Sequence, residues 1–215
     1  VWGAAWDMTR DAELGTGEYL DLVLNGLPHE GDVGVVQQLI RQLRTAIELY
    51  ASDDNRERYQ VTLAANLRDL MNAAPAKSDH QLAFGRGFIA TATDPSDLRE
   101  IGALLHGQSQ IDGLVVDAEL RWSMLQRLVI MGVTGDEAID AELARDNTAT
   151  GIRHAQLVRS ARPTVQAKRA AWDAALHDDS LANHLLAATI GGIMISEQRE
   201  LLRPHVTEYF AAIAS

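Results

Sequence analysis

The chain has 215 residues, of which 47% are hydrophobic, so it can form one large domain or an extended array with a continuous core. Its formal net charge of −11 argues against a nucleic-acid-binding surface, and its lack of cysteine excludes disulfides and thiolate-bound metals. The longest apolar run, residues 185–195, is too short to cross a bilayer, so we expect a soluble, cytoplasmic protein with neither nucleic acid nor membrane among its partners.

The first residues have the pattern of a helix interior. Trp2 and Trp6 lie one helical turn apart, and no N-capping residue precedes them. Residue 1 is a valine rather than a start methionine. We therefore expect the chain to be a fragment of a longer polypeptide that continues upstream of Val1.

Helical periodicity continues through the first half of the chain. The clearest stripe follows an Asp32 N-cap, places Val36, Ile40 and Ile47 on one face, and predicts the longest helix. Four more helices are predicted to begin in this region, at Thr16, at Asp53, at a Ser78–Gln81 capping box and at Asp94–Pro95.

Residues 107–116 form the one long connection, and they mark a possible seam within a single domain that covers residues 1–215. After this connection, Leu120, Met124 and Leu128 share one face of a helix that Gly132 ends. Short helices with well-marked turns follow. Their predicted starts are a Thr134–Glu137 capping box, Asp146 or Asn147, Pro163, Ser180 and Ser196, with a break at Pro204.

The helix after Pro163 is predicted to bury one face. Val165, Trp172 and Leu176 recur on it at helical spacing. We interpret the four tryptophans, Trp2, Trp6, Trp122 and Trp172, as core or interhelix anchors. An exposed tryptophan would instead indicate an interface with a missing part of the chain.

No stretch alternates strongly enough to predict a strand, so the fold class is all-α. About a dozen short helices cannot close as a four-helix bundle. Stacked antiparallel pairs, as in HEAT-like solenoids, accommodate such a series. Because no strict internal repeat is found, we expect an irregular superhelical array whose concave face is available for binding.

Two motifs resemble metal-binding or cofactor-binding patterns, but each lacks a feature that its pattern requires. His29–Glu30 begins an HExxH zinc pattern, but Val33 stands where the second histidine is needed. Residues 85–90 match the dinucleotide pattern GxGxxA, which requires a preceding strand, whereas here it falls inside a predicted helix. The two glycines are better explained by close helix contact or a kink. No catalytic, cofactor-binding or metal-binding residue is predicted.

Four basic side chains are candidates for a peptide-binding groove: Arg145, Arg153, Lys168 and Arg169. On the concave face of an array, they could bind a peptide carboxylate. The alternative is that they are ordinary solvated helix positions.

Several stretches resemble the helical C-terminal domain of the aminopeptidase N family of zinc peptidases. They are RWSMLQRLVIMG (121–132), IDAELARDNTATG (139–151), ARPTVQAKRAAWDAAL (161–176), VWGAAWDMTRDAEL (1–14) and SEQRELLRPHVTEYF (196–210). These stretches are packing signatures rather than catalytic motifs. The resemblance covers nearly the whole chain.

The resemblance implies a superhelical array of HEAT-like pairs that folds over an upstream catalytic domain and encloses its active-site chamber. In that family the zinc-binding HExxH pair, the GxMEN loop and the catalytic tyrosine lie upstream, and this chain contains none of them. The hypothesis is a non-catalytic wall that restricts peptide size, with zinc held upstream and no cofactor of its own. A free-standing helical-repeat adaptor for a protein or peptide is the alternative, and an independent enzyme has no motif to support it.

Overall fold

A computed structural model describes residues 1–213 of the chain, and within that range the regular structure is helical without strands. The predicted all-α class is confirmed. The chain divides into two compact units, unit 1 (Val1–Leu120) and unit 2 (from Arg121 onward). The prediction of one continuous array with a seam at 107–116 stays a prediction.

Six helices precede the long connection of residues 106–117. They are α1 (Trp2–Arg10), α2 (Thr16–Gly26), α3 (Val33–Thr45), α4 (Asp53–Ala73), α5 (Asp79–Thr91) and α6 (Pro95–Leu105). A 3₁₀ turn at Leu27–His29 follows α2, and a π turn at Ala46–Tyr50 follows α3.

Seven helices follow the connection within the described residues. They are α7 (Ala118–Ile130), α8 (Asp136–Arg145), α9 (Ala149–Ser160), α10 (Val165–His177), α11 (Asn183–Ile193), α12 (Arg199–Leu202) and α13 (Val206–Ile213). Single 3₁₀ turns at Ser196–Gln198 and Arg203–His205 flank α12, and the second contains the predicted break at Pro204.

Three predicted N-caps of unit 1 are confirmed. The Asp32 carboxylate accepts a hydrogen bond from the amide of Gly34 (2.8 Å), and the Asp94 carboxylate accepts one from Ser96 (2.7 Å). The Ser78 hydroxyl accepts the amide of Gln81 (3.0 Å), although the Gln81 side chain does not return the bond to Ser78 as a full capping box requires. Each cap satisfies an amide that has no partner within its helix.

Helix lengths and other starts differ from the prediction. The longest helix is α4, with 21 residues, and its N-cap is Ser52 rather than Asp53. The helix after Asp32 has only 13 residues, because a π turn takes over after Thr45. The Thr134–Glu137 capping box does not form, since α8 begins at Asp136 after a Gly135 without a side-chain cap.

The N-cap of α9 is Thr148, not Asp146 or Asn147. Its hydroxyl accepts the amide of Gly151 (3.1 Å). The Asp146 carboxylate is already used, because it accepts hydrogen bonds from the Trp122 indole (2.9 Å) and the Thr148 hydroxyl (2.8 Å). A tertiary contact has therefore taken the side chain that local sequence reasoning assigned to the cap.

The predicted buried stripe of α10 is also wrong. Its N-cap is Thr164, so Pro163 lies before the helix, and both Val165 and Leu176 are exposed. The buried face consists of Ala167, Lys168 and Ala171. The helix predicted to begin at Ser180 starts at Asn183, because Asp178 holds Ser180 in a turn with bonds to its amide and hydroxyl.

In unit 1, α4 and α5 form an antiparallel pair at the two glycines of the GxGxxA match. A Cβ at Gly85 would lie 3.2 Å from the Met71 sulfur, and one at Gly87 would lie 3.0 Å from a Leu67 methyl. The contacting residue falls in number along α4 as it rises along α5, so the helices run in opposite directions. The predicted role of these glycines in close helix packing is confirmed.

In unit 2, α9 and α11 pack in parallel, with α10 between them in sequence. The Gln156 amide donates to the Thr189 hydroxyl (2.7 Å), and a Cβ at Gly192 would lie 2.6 Å from that of Ser160. Contact between alternate helices is the arrangement expected when helix pairs are stacked. Because Gly192 permits this approach, the carboxyl ends of both helices lie side by side.

Candidate functional site

The four basic candidates lie on three consecutive helices of unit 2. Arg145 is the last residue of α8, with its side chain 67% exposed and its Nε 3.9 Å from the Glu142 carboxylate. Arg153 is exposed in the first half of α9. Lys168 and Arg169 are neighbours on α10. These residues therefore lie in different environments.

Lys168 is fully buried, so the expectation that it is a solvated position is wrong. Its ammonium donates to the carbonyls of Ser160 (2.9 Å), Gly192 (2.8 Å) and Ile193 (3.4 Å). These carbonyls belong to the last turns of α9 and α11, where helices leave acceptors unpaired. Burial lowers the pKa of Lys168 from 10.5 to about 8. The side chain binds helix ends and leaves no exposed surface for a peptide.

Arg169 points to the surface and is held by two carboxylates. It lies 2.8 Å from Asp173 on its own helix and 2.7 Å from Glu208 on α13. The hydrogen bond with Glu208, followed by that with Asp173, raises the pKa of Arg169, and the same contact with Arg169 lowers the pKa of Glu208. Because its charge is already compensated, Arg169 is a weaker candidate for a peptide carboxylate than Arg145 or Arg153.

Several buried polar side chains of unit 2 were missed by the sequence reasoning. Gln198 donates its amide hydrogens to the carbonyls of Ile130 (3.0 Å) and Ala161 (2.9 Å), at the ends of α7 and α9. Together with Lys168 it caps the carboxyl ends of α7, α9 and α11 from outside those helices. No local pattern reveals this role, because each pair of partners is at least eight residues apart in sequence.

Two ion pairs, each with one buried partner, join further elements of unit 2. Arg121 donates two hydrogen bonds to the Glu142 carboxylate, at 2.7 and 2.6 Å, so α7 is fastened to α8. Arg127, with a side chain only 3% exposed, donates to Glu197 at 2.7 Å. Burial alone would raise the pKa of Glu197, but the charge of Arg127 and its hydrogen bond outweigh burial and lower it. Paired in this way, the buried charges are structural.

The residues of the failed zinc motif do not form a metal site. His29 is exposed at the end of a 3₁₀ turn, and the Glu30 carboxylate accepts the Trp2 indole (3.0 Å) and the Asp32 amide (3.1 Å). Those two contacts, that of Asp32 first, lower the pKa of Glu30. Within residues 1–213 no three histidine or carboxylate side chains are grouped as a metal requires, so the described part of the chain does not fit a zinc ion.

The four tryptophans all pack inside their units. Trp122 is buried and stacks on His154, with ring centres 5.7 Å apart, while Trp6 lies between Tyr19 and Tyr50. Trp2 and Trp172 are half-buried. Their predicted role as anchors is confirmed, and none is exposed as a free interface. No helix within the described range is both long enough and apolar enough to cross a membrane.

Comparison with known proteins identifies the family of the chain. Residues 1–215 match the ERAP1-like C-terminal domain. The chain is also 49% identical over 216 residues to Aminopeptidase N of Streptomyces lividans, and the match covers 99% of this chain but 25% of that protein. It therefore spans about a quarter of this relative's length. The chain belongs to the ERAP1-like C-terminal domain family.

Proposed function

We propose that the chain is the non-catalytic C-terminal domain of an aminopeptidase N that removes N-terminal amino acids from peptides. The observation that carries this proposal is the 49% identity to one quarter of an aminopeptidase N, combined with a family match over the whole chain. In this proposal the domain forms a wall of the active-site chamber and restricts the size of the peptides that enter. Its location is cytoplasmic.

Zinc and the hydrolytic residues belong to the remainder of the enzyme in this proposal. The described residues of this chain provide no group of metal ligands, and the one partial zinc motif is committed to packing α1 against the loop before α3. The domain's contribution is to bind and orient peptides and to limit their length. The upstream catalytic domain and the peptide substrate are its partners.

Within the domain, unit 2 is the better place for contact with a peptide carboxylate. Unit 1 carries nine basic side chains against nineteen acidic ones, whereas unit 2 carries ten against eleven. A carboxylate is therefore repelled more strongly by unit 1. Arg145 and Arg153 are the exposed candidates, and Arg169 is a third whose charge is shared with Asp173 and Glu208.

The proposal is tested by exchanging domains with the Streptomyces relative. Three proteins are compared: intact Streptomyces lividans aminopeptidase N, the enzyme without its matching quarter, and a chimaera that carries this chain in that place. Each is given an aminoacyl anilide, a short peptide and a long unfolded polypeptide. We expect the chimaera to restore the intact enzyme's preference for short peptides over the long polypeptide, which the truncated enzyme should have lost.

Two matched variants of the chimaera test the groove candidates. Arg145→Gln and Arg153→Gln remove exposed charges, and we expect each to raise KM for a short peptide by about two- to fivefold, the effect of losing one exposed charge contact. The kinetics of the anilide, which lacks a carboxylate, should not change. If peptide and anilide respond alike, the arginines do not contact the carboxylate. If the truncated enzyme keeps the intact enzyme's preference for short peptides, the proposal that this domain forms the chamber wall is disproved.

The alternative function is a free-standing adaptor for a protein or peptide. Trp2 and Trp6 were expected to favour an excised domain over an adaptor. They do not distinguish these two hypotheses, because both side chains pack within unit 1. Mixing this chain with the truncated aminopeptidase does distinguish the two hypotheses. We expect the two to form a complex by analytical ultracentrifugation and to recover length preference. Failure to associate, together with a chimaera that behaves like the truncated enzyme, would favour the adaptor.

A further inference from the structure

Residues 196–211, here called the C-terminal strap, are attached to unit 2 in an unusual way. The strap comprises a 3₁₀ turn, α12, a second 3₁₀ turn and the first part of α13. Two of its residues are buried, and both are polar: Gln198 and His205. Because apolar burial is the main force that holds a segment in place, a strap without a buried apolar residue has little of it.

Polar contacts hold the strap at its two ends. At the first end, Glu197 accepts from Arg127 (2.7 Å), and Gln198 donates to the carbonyls of Ile130 and Ala161. At the second end, Glu208 accepts from Arg169 (2.7 Å), and the His205 ring stacks on Trp172 with ring centres 4.8 Å apart. The Arg169–Glu208 pair is about half exposed on both sides, and such pairs contribute little.

The same contact surface contains two unsatisfied polar atoms. Among the described residues, the Trp172 indole nitrogen and the Gln198 carbonyl oxygen are buried without a hydrogen-bond partner. A buried polar atom without a partner costs about 1–3 kcal/mol relative to its hydrated state, and opening the strap returns both atoms to water. The closed position is thus weakly favoured.

The outer side of the strap is apolar. Val206, Tyr209 and Phe210 are exposed, Phe210 to 64%. The Tyr209 ring also contacts Trp172, with ring centres 6.5 Å apart, but all three side chains are at least half exposed, so opening does not remove them from a core. Apart from the half-buried Leu201 and Leu202 and the Tyr209–Trp172 contact, the strap therefore buries little apolar surface against α7, α9 and α10.

We propose that the strap is a releasable element, which opens from unit 2 as a body while α7 to α11 stay folded. Release uncovers the Trp172 ring and the carbonyl ends of α7 and α9, and ionic strength sets how often it occurs. This device is independent of the proposed peptidase role, because it depends only on contacts within unit 2.

Hydrogen–deuterium exchange of the 215-residue chain tests the proposal. Peptides from the strap are compared with peptides from α4 and α9, which report whether the two units are folded. We expect strap amides to exchange faster than those of α9, and about two- to fivefold faster still when salt is raised to about 1 M, since salt screens exposed ion pairs. The α4 and α9 peptides should not change.

Three variants separate release from a general loss of stability. Arg169→Ala removes the bridge to Glu208, and we expect strap exchange to increase about two- to fivefold. Asp173→Ala removes a pair made within α10, and Arg203→Ala removes one made within the strap to Glu200, so neither should have this effect. The proposal is overturned if strap and α9 exchange together in the unmodified chain, or if all three variants act alike.

Discussion

The two units of this chain are stabilised by different kinds of contact. The core of unit 1 is built from large apolar side chains on α2 to α6, and its buried polar residues are Thr9, Gln81, Thr91 and Asp97. Beyond α7, the buried apolar residues of unit 2 that exceed alanine in size are Ile139, Val158 and Ile193 among those described. Seven polar residues in the described part of unit 2 are buried: Arg127, Glu142, Ser160, Lys168, Thr189, Gln198 and His205.

This difference shows two ways of packing short helices. In unit 1, side chains interdigitate between helices, and the contact energy is spread over many small van der Waals contacts. In unit 2, small residues bring α9 and α11 together, and a few polar side chains then satisfy the helix ends that this approach buries. Unit 2 should consequently be more sensitive than unit 1 to single polar substitutions.

The largest effect is expected at Lys168. Lys168→Met keeps most of the apolar stem but removes the donor shared by three carbonyls, and we expect the free energy of unfolding to fall by about 2–4 kcal/mol. Urea unfolding of the 215-residue chain measures it. Lys77→Met is the matched control, because Lys77 is exposed, and its effect should stay below about 0.5 kcal/mol. Equal effects at both lysines would show that unit 2 does not depend on its buried ammonium.

Alkaline pH should sharpen this result. Burial lowers the pKa of Lys168 to about 8 in the folded chain, from 10.5 when unfolded. Between these values the folded state binds fewer protons than the unfolded state, so the free energy of unfolding rises with pH. Urea unfolding at several values from pH 8 to 10.5 should show this rise in the unmodified chain and lose it in Lys168→Met. If the free energy of unfolding still rises with pH in Lys168→Met, another titratable group causes the rise.

An intermediate effect is expected from two glycines, one in each unit. A Cβ at Gly192 would lie 2.2 Å from the Leu157 carbonyl oxygen, which is backbone and cannot yield, so Gly192→Ala should cost about 1–3 kcal/mol. A Cβ at Gly87 would meet only the ends of the Leu67 and Ile40 side chains. Because alanine also favours the helix, Gly87→Ala should change stability by less than about 1 kcal/mol. Thermal unfolding of both variants checks the order, and a larger cost at Gly87 would contradict the comparison.

The smallest effect concerns the helix caps of unit 2. Thr148→Ala removes the hydroxyl that accepts the Gly151 amide, and we expect a loss of about 1 kcal/mol. Thr134→Ala changes the residue that local pattern assigned as a cap, yet α8 begins without a side-chain cap, so its loss should stay below about 0.5 kcal/mol. Urea unfolding measures both, and the reverse order would restore the predicted capping box.

Sequence reasoning succeeded where neighbouring residues decide the structure. The Asp32, Ser78 and Asp94 caps were predicted because a cap is formed within three residues of its own side chain. The buried face of α3 was also predicted, since large apolar residues recur there at helical spacing. It failed on α10, where the buried face contains two alanines and a lysine and so has no apolar stripe.

The sequence alone determined the all-α class, most helix positions in unit 1, the role of Gly85 and Gly87, and the family resemblance that the whole-chain match confirms. Tertiary structure decided which polar side chains are buried. The Lys168 ammonium meets carbonyls 8, 24 and 25 residues away, and the Gln198 amide meets one 68 residues away. Such partners come together only when the helices pack. A side-chain donor can bind a carbonyl at a helix end wherever the two are close in space, so the contact leaves no periodic pattern in the sequence.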